Sequence, residues 1–203
     1  MIPNTYYHIY NHANGDENLF RTDDNYFYFL KLWAKYIEPI AGTFAYCLMP
    51  NHFYFLVKIK DEKELNIRFN NRLSGKSDLS GFENLIGLIS KQFSNLFNAY
   101  AKAYNKMYDR RGSLFIRPYK SKEVNNERYL ATLVSYMHKN PIHHGFCNNI
   151  EDWQHSSYHA YLSDKSTRIK KEEILSQFLN KADFVRSHIK DEMTLDKSLF
   201  IDF

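Results

Sequence analysis

The order of periodic segments predicts an α+β fold, a ferredoxin-like split β-α-β sandwich with an antiparallel sheet and extra C-terminal helices. Three observations carry that reading. A β-rich run precedes an amphipathic helical run near the N-terminus. Two further β-rich runs are joined by Met49-Pro50-Asn51, a turn signal at hairpin spacing. A long helical run is then followed by a last short extended segment, which completes the order β-α-β-β-α-β.

Tyr6–His12 alternates and is rich in β-formers, so it predicts the first strand. Asp23 or Asp24 is placed to cap a helix reaching about Tyr36, with Phe27, Leu30, Ala34 and Ile37 near helical spacing and Pro39 as its stop. Gly42–Leu48 and His52–Lys58 read as the hairpin strands. The polar stretch 60–80 reads as a loop. Phe82–Met107 repeats Leu85, Leu88, Ile89, Phe93, Leu96, Phe97 and Tyr100 at the spacing of one helix face, and Arg111-Gly112 ends it. Ser113–Arg117 and Lys120–Val124 read as short extended segments around Pro118. Asn126–Lys139 reads as a helix closed by Pro141, and Trp153–Leu162 as a short helix. The organisation expected is one domain over residues 1–163, with 164–203 as a weakly attached appendage: a charged linker and one or two short helices.

The chain has 203 residues, enough for one domain with a substantial core. It is 44% hydrophobic and 25% charged, and no apolar run reaches the roughly 20 residues that span a bilayer. The first residues, MIPNTYYHIYNH, lack the basic-then-apolar pattern of a signal peptide. The two cysteines, Cys47 and Cys147, make no disulfide framework, and Cys47 lies within an apolar strand. A cytoplasmic protein without a membrane partner is expected. Net charge is +4 with a pI near 8.8, a mild excess that becomes informative through its placement. Lys102, Lys106, Arg110, Arg111, Arg117, Lys120 and Lys122 are interleaved with Tyr104, Tyr108, Phe115 and Tyr119. Cations neutralise phosphates and aromatic faces stack on bases, so this stretch is the candidate nucleic-acid surface.

Two islands carry the candidate chemistry. In a strand, alternate residues share a face, so His52, Tyr54 and Leu56 point one way and Phe53, Phe55 and Val57 the other. The second set is core; the first offers an imidazole and a phenol on the face expected to be open. In a helix, residues four apart are stacked, so Tyr136 and Asn140 share a face while His138 points away. Read singly, His52 is equally a capped turn residue, Asn140 a helix C-cap and Tyr136 a core tyrosine. His143 and His144 fall in the expected loop, as phosphate contacts or surface.

Read together, the islands resemble a known family. MPNHFYFLV looks like the MPNHxHxLL signature of the single-tyrosine HUH transposases, and YMHKNPIHHG is similar to the YIHxNPxxxG signature of their REP-associated branch. YYHIYNHANGDENLF, the Gly112–Phe115 stretch, Trp153 and Ser156-Ser157-Tyr158 add to the resemblance, which covers about residues 5–162 in order. It implies a DNA transposase that cuts and rejoins hairpin-bearing single-stranded DNA. Tyr136 would be the nucleophile, leaving a 5′-phosphotyrosine and a free 3′-hydroxyl, so that rejoining needs no ATP. A divalent metal, Mg²⁺ or Mn²⁺, would be held by His52, Asn140 and the residue at the second histidine position. That residue is Tyr54, the one serious departure. With a pKa of about 10, a phenol is a poor ligand at neutral pH. Three outcomes follow: Tyr54 ligates weakly through oxygen, another group such as His8 substitutes, or the protein is a domesticated relative that binds hairpin DNA or RNA without cutting. A plain RNA-binding ferredoxin-like domain is the weakest rival, because no KGFGFV-like pattern occurs. The appendage favours a monomer over the dimer, known in the wider family, that exchanges tyrosine helices.

Overall fold

Strand β3 (His52–Ile59) buries side chains on both faces, and this dictates a sheet covered on both sides. A computed structural model describes residues 1–70, 82–126 and 129–189. Its four-stranded antiparallel sheet has the order β2-β3-β1-β4, with β1 at Tyr6–His12, β2 at Ala41–Met49 and β4 at Lys120–Val124. That is the order the split β-α-β reading requires, and the predicted α+β class holds.

One face carries Tyr7, Ile9, Phe53, Phe55 and Val57 and is covered by α1 (Asp23–Tyr36) and α3 (Phe82–Met107). Trp33 of α1 stacks on Phe55 at 3.5 Å between ring centres, and Phe29 meets Tyr100 of α3 edge-on at 5.0 Å. Aromatic pairs of this kind add about 0.5–1.5 kcal/mol beyond area burial. The helix stripe differs from the predicted one by a residue, except at Ile37, which is buried in this core as read. Tyr26, Phe29 and Trp33 face the sheet, whereas Phe27 is 64% exposed. The segment is apolar around most of its girth, so spacing alone left the face undetermined, and the larger rings take the interior. The cap is Thr22, one residue before the predicted aspartates.

The stretch read as a loop contains α2 (Glu62–Asn70). Asp61 Oδ1 accepts the Glu64 backbone N–H at 2.8 Å, and Leu65 and Phe69, one turn apart, are buried in the first core. Leu65, Ile67 and Phe69 are spaced by two, which carries no helical period in a polar stretch. The rest of that stretch, 71–81, lies outside the described residues. Between Ser113 and Arg117 the chain makes only an isolated bridge from Phe115 to Ala13. The predicted Trp153–Leu162 helix is also divided. A 3-10 turn at Ile150–Asp152 precedes an extended stretch bridged to β2 (Cys47 with Ser156), and α5 is confined to Tyr158–Leu162. The Trp153 indole donates to the Leu48 carbonyl at 3.1 Å, using sheet-edge groups that a helix would leave unpaired.

The other face carries Tyr6, Tyr10, Tyr54, Leu56 and Cys47, and α4 (Leu130–His143) lies across it. Residues read as a weakly attached appendage pack into this layer. Ile174 of α6 (Lys171–Leu175) and Phe184 of α7 (Lys181–Ile189) are fully buried. Phe184 stacks on Tyr161 at 4.8 Å, 7° from parallel. Among the described residues no helix is long and apolar enough to cross a membrane.

A buried polar relay fastens this layer. The Phe184 carbonyl can only accept, so His188 donates to it through Nδ1 (2.9 Å) and accepts at Nε2 from His138 Nδ1 (3.0 Å). His138 Nε2 in turn accepts from the Ser157 hydroxyl at 2.7 Å, and Ser157 Oγ accepts the Tyr46 backbone N–H of β2 at 2.9 Å. Burial lowers both histidines, His188 to about 4 and His138 well below the ordinary value.

Two predictions follow. Phe184→Ala leaves a cavity in a closed layer and should cost about 3–5 kcal/mol by urea denaturation; a cost under 1 kcal/mol would show the segment to be peripheral. The relay histidines take up protons in the unfolded chain from about pH 6.5 downward but resist them when folded. Stability should therefore fall as pH drops from about 6.5 toward 4, seen as a declining melting temperature. His188→Gln should flatten that decline in part, since His8 and His52 are also lowered, to about 3.

Candidate functional site

The register of β1 on β3 sets the floor of the site. His12 lies opposite His52, Tyr10 opposite Tyr54 and His8 opposite Leu56. On the other side of β1, Lys120 of β4 lies opposite Tyr10 and Lys122 opposite His8. Residues directly opposite one another share a face, so these all belong to the face that α4 crosses.

Tyr136 and Tyr54, read from separate islands, come together with ring centres 6.3 Å apart. Tyr136 is 6% exposed. Tyr54 is fully buried, so the face expected to be open is covered at this point. Its ring packs among His8 at 5.4 Å, His52 at 5.3 Å and Tyr10 at 6.3 Å. His138 points away, as the helical spacing required, and serves the relay instead.

Helix α4 does not stop before Pro141. It runs to His143, and Gly145, at φ +71°, closes it with its N–H donating to the Ile142 carbonyl. Asn140 is therefore no C-cap. Its side-chain Nδ2 donates to the Tyr136 carbonyl at 3.0 Å, bracing the turn that Pro141 weakens. The extra turn brings in two histidines that the sequence had left in a loop. His143 lies 6.2 Å from the Tyr136 ring, and His144 meets His52 edge-on at 4.8 Å.

His52 is 2% exposed, and burial, with His144 and His12 nearby, lowers it to about 3, so the imidazole is neutral at pH 7. Its Nδ1 lies 2.7 Å from Asn51 Oδ1. His12 stacks on it with ring centres 5.6 Å apart and planes 14° from parallel, while its own Nδ1 lies 2.6 Å from the Ala13 carbonyl. His8 is also fully buried and lowered to about 3, by burial and then by Lys122, and among the described residues neither of its ring nitrogens has a hydrogen-bond partner.

The expected metal-binding set does not fit this arrangement. His52 supplies one imidazole, Tyr54 is a buried phenol, and the Asn140 amide is braced against its own helix. Among the described residues no three or more His, Cys, Asp or Glu side chains are grouped to hold a metal ion. Mg²⁺ in particular calls for carboxylate oxygens, which this set lacks.

The basic stretch divides in space. Lys120 and Lys122 stand on the site face of edge strand β4. Lys102 and Lys106 are exposed on α3, and Arg111 and Arg117 are exposed in the following segment. Arg110 departs from its expected role. It is held by Glu17 at 2.6 Å and donates to the Ser113 carbonyl at 2.9 Å, tying the end of α3 to the β1–α1 connection. Its sequence partner lies ninety-odd positions away, which no local pattern shows.

No family model matches the chain. A Haemophilus influenzae protein named as a REP-associated tyrosine transposase is 21% identical over 119 residues, which make up 58% of each chain. The match thus spans less than two thirds of that relative's length. A solved structure of a REP-associated tyrosine transposase bound to a REP hairpin has the same fold, with a TM-score of 0.52 and 16% identity. The match covers 81% of this chain and 82% of that one. The chain is thus similar in sequence to one REP-associated tyrosine transposase and in fold to another.

Proposed function

We propose that this protein binds single-stranded DNA folded into a hairpin and cuts and rejoins it through Tyr136. The observation that carries the reading is the seating of Tyr136 on α4 over the β1–β3 face, beside a histidine group and an edge strand bearing Lys120 and Lys122. The hairpin-bound relative supports the choice of substrate. In the reaction, the Tyr136 hydroxyl gives up its proton as its oxygen attacks the scissile phosphorus, a phosphotyrosine bond forms, the bond from phosphorus to the 3′ oxygen breaks, and that oxygen leaves with a proton. Attack by a 3′-hydroxyl reverses the step and frees the tyrosine. Tyr136 faces Tyr54 of its own chain, which supports a site completed within one monomer.

Tyr54 and the braced Asn140 favour a second reading, hairpin binding without cutting. A denaturing gel of protein mixed with labelled hairpin strands and Mn²⁺ separates the two. A covalent band in the wild type that is absent in Tyr136→Phe, with hairpin binding kept, is the expected result. Hairpin binding with no covalent band would establish the second reading, and an equal band in Tyr136→Phe would remove Tyr136 from the chemistry.

The division of the basic stretch gives a further expectation. Replacing Lys120 and Lys122 with Ala should lower the slope of log affinity against log salt by about 1.5–2. Arg110→Ala should leave that slope nearly unchanged and lower the melting temperature, because its partners are internal.

A further inference from the structure

We propose that His143 accepts the proton of the Tyr136 hydroxyl and so acts as the catalytic base of the strand cut. The inference rests on the cutting reading above and gives its first step a second side chain. The YIHxNPxxxG pattern leaves position 143 unspecified, so the imidazole there is a feature of this chain.

Three observations meet. The first is helix phase. Residues seven apart are two turns apart, so His143 shares a face with Tyr136, with Asn140 on the turn between them. That placement exists because α4 runs past Pro141; a helix closed at Asn140 would leave position 143 in a loop. Helical side chains lean toward the N-terminus, which carries the His143 ring back toward Tyr136. The second is ring placement. The centres are 6.2 Å apart with planes at 41°. That spacing lets the hydroxyl and a ring nitrogen meet through a hydrogen bond of about 2.6–3.2 Å, directly or across one water. The third is exposure. Tyr136 is nearly buried, whereas His143 lies at the surface, where its ring can pass a proton on to solvent.

Other bases in this layer serve less well. Among the strands and α4, Glu123 is the sole carboxylate, and it lies opposite Tyr7, on the face covered by α1 and α3. His52 and His8 are lowered to about 3 by burial, so neither holds a transferred proton at pH 7. His138 points away, and its two ring nitrogens are engaged by His188 and Ser157. The rings of His12 and His144 pack on His52.

In the step, the Tyr136 O–H bond breaks and its proton goes to a His143 ring nitrogen as the bond from oxygen to phosphorus forms. The bond from phosphorus to the 3′ oxygen breaks on the far side, in line, and that oxygen takes its proton from water. The imidazolium then returns a proton to solvent. In rejoining, an imidazolium at position 143 gives its proton to the departing tyrosine oxygen.

The test is the rate at which the covalent band forms on the labelled hairpin, with hairpin affinity and melting followed in parallel. His143→Ala and His143→Gln should each slow the band about a hundredfold while hairpin binding is kept. Added imidazole should restore the rate of His143→Ala in proportion to its concentration and leave wild type unaffected. His144→Ala, at the same helix end, should cut at nearly the wild-type rate. An unchanged rate in a folded His143→Ala variant would overturn the proposal. So would a wild-type rate in His143→Gln, which would reduce the role to a hydrogen bond. A loss in His143→Ala that imidazole fails to restore, or that comes with lost hairpin binding, would make the residue structural or a phosphate contact and overturn it too. Imidazole rescue of His144→Ala instead would move the role to His144. All of these arise with an active wild type and leave the cutting reading standing. Wild type that binds the hairpin but forms no band would end that reading and this proposal together.

Discussion

The antiparallel pairing of β1 with β3 is the constraint on which the rest of the structure depends. Seven residue pairs, from Tyr6 with Lys58 to His12 with His52, fix which side chains share a face. A slip of one residue would exchange the two faces, putting His52 and Tyr54 against α1 and α3 and Phe53 and Phe55 against α4. The aromatic first core prevents that slip. Phe53 and Phe55 are fully buried among Phe29, Trp33 and Phe97, and each such ring contributes about 1.5–3 kcal/mol by burial. The position of the site histidines is thus enforced from the opposite side of the sheet.

A second dependence runs through α4. The helix presents Tyr136 to the sheet on one side and His138 to α5 and α7 on the other. The relay from Ser157 through His138 and His188 to the Phe184 carbonyl has a direction, because its last acceptor cannot donate. It locks α4 in rotation about its own axis, and so holds the tyrosine over the β1–β3 face. A helix held only by apolar contacts could turn by a fraction of a residue at little cost. Satisfied buried hydrogen bonds make such a turn expensive.

The replacement of an imidazole by a phenol at position 54 is a local change with a spatial answer. Tyr54 is fully enclosed by His8, Tyr10, His52 and Tyr136, so it contributes packing where a ligand was expected. Nearby, the face holds His12 and, from the end of α4, His143 and His144. The imidazoles of this site are therefore gathered from three elements far apart in the chain. The lysines beside them stand on the exposed edge strand, where cations also discourage pairing with another sheet.

The sequence by itself determined the strand sites, the long helix and the faces of β3. Alternation with period 2 and the repeat of α3 are local signals that burial enforces strongly, and β1, α3 and β4 fall at Tyr6–His12, Phe82–Met107 and Lys120–Val124 as read. Its two motifs also carry the resemblance to REP-associated tyrosine transposases, with which the sequence and fold similarities agree. Only the tertiary structure decided the rest. The face of α1 was settled by which rings stack on Phe55. The run of α4 past Pro141 was settled by the brace from Asn140 and the stop at Gly145. Arg110 was assigned to Glu17, and the tail to the second core through Phe184. His12 met His52 because two strands paired. Each of these is a choice among nearly equal local options, made by contacts between residues distant in the chain, and composition and period carry no record of such contacts.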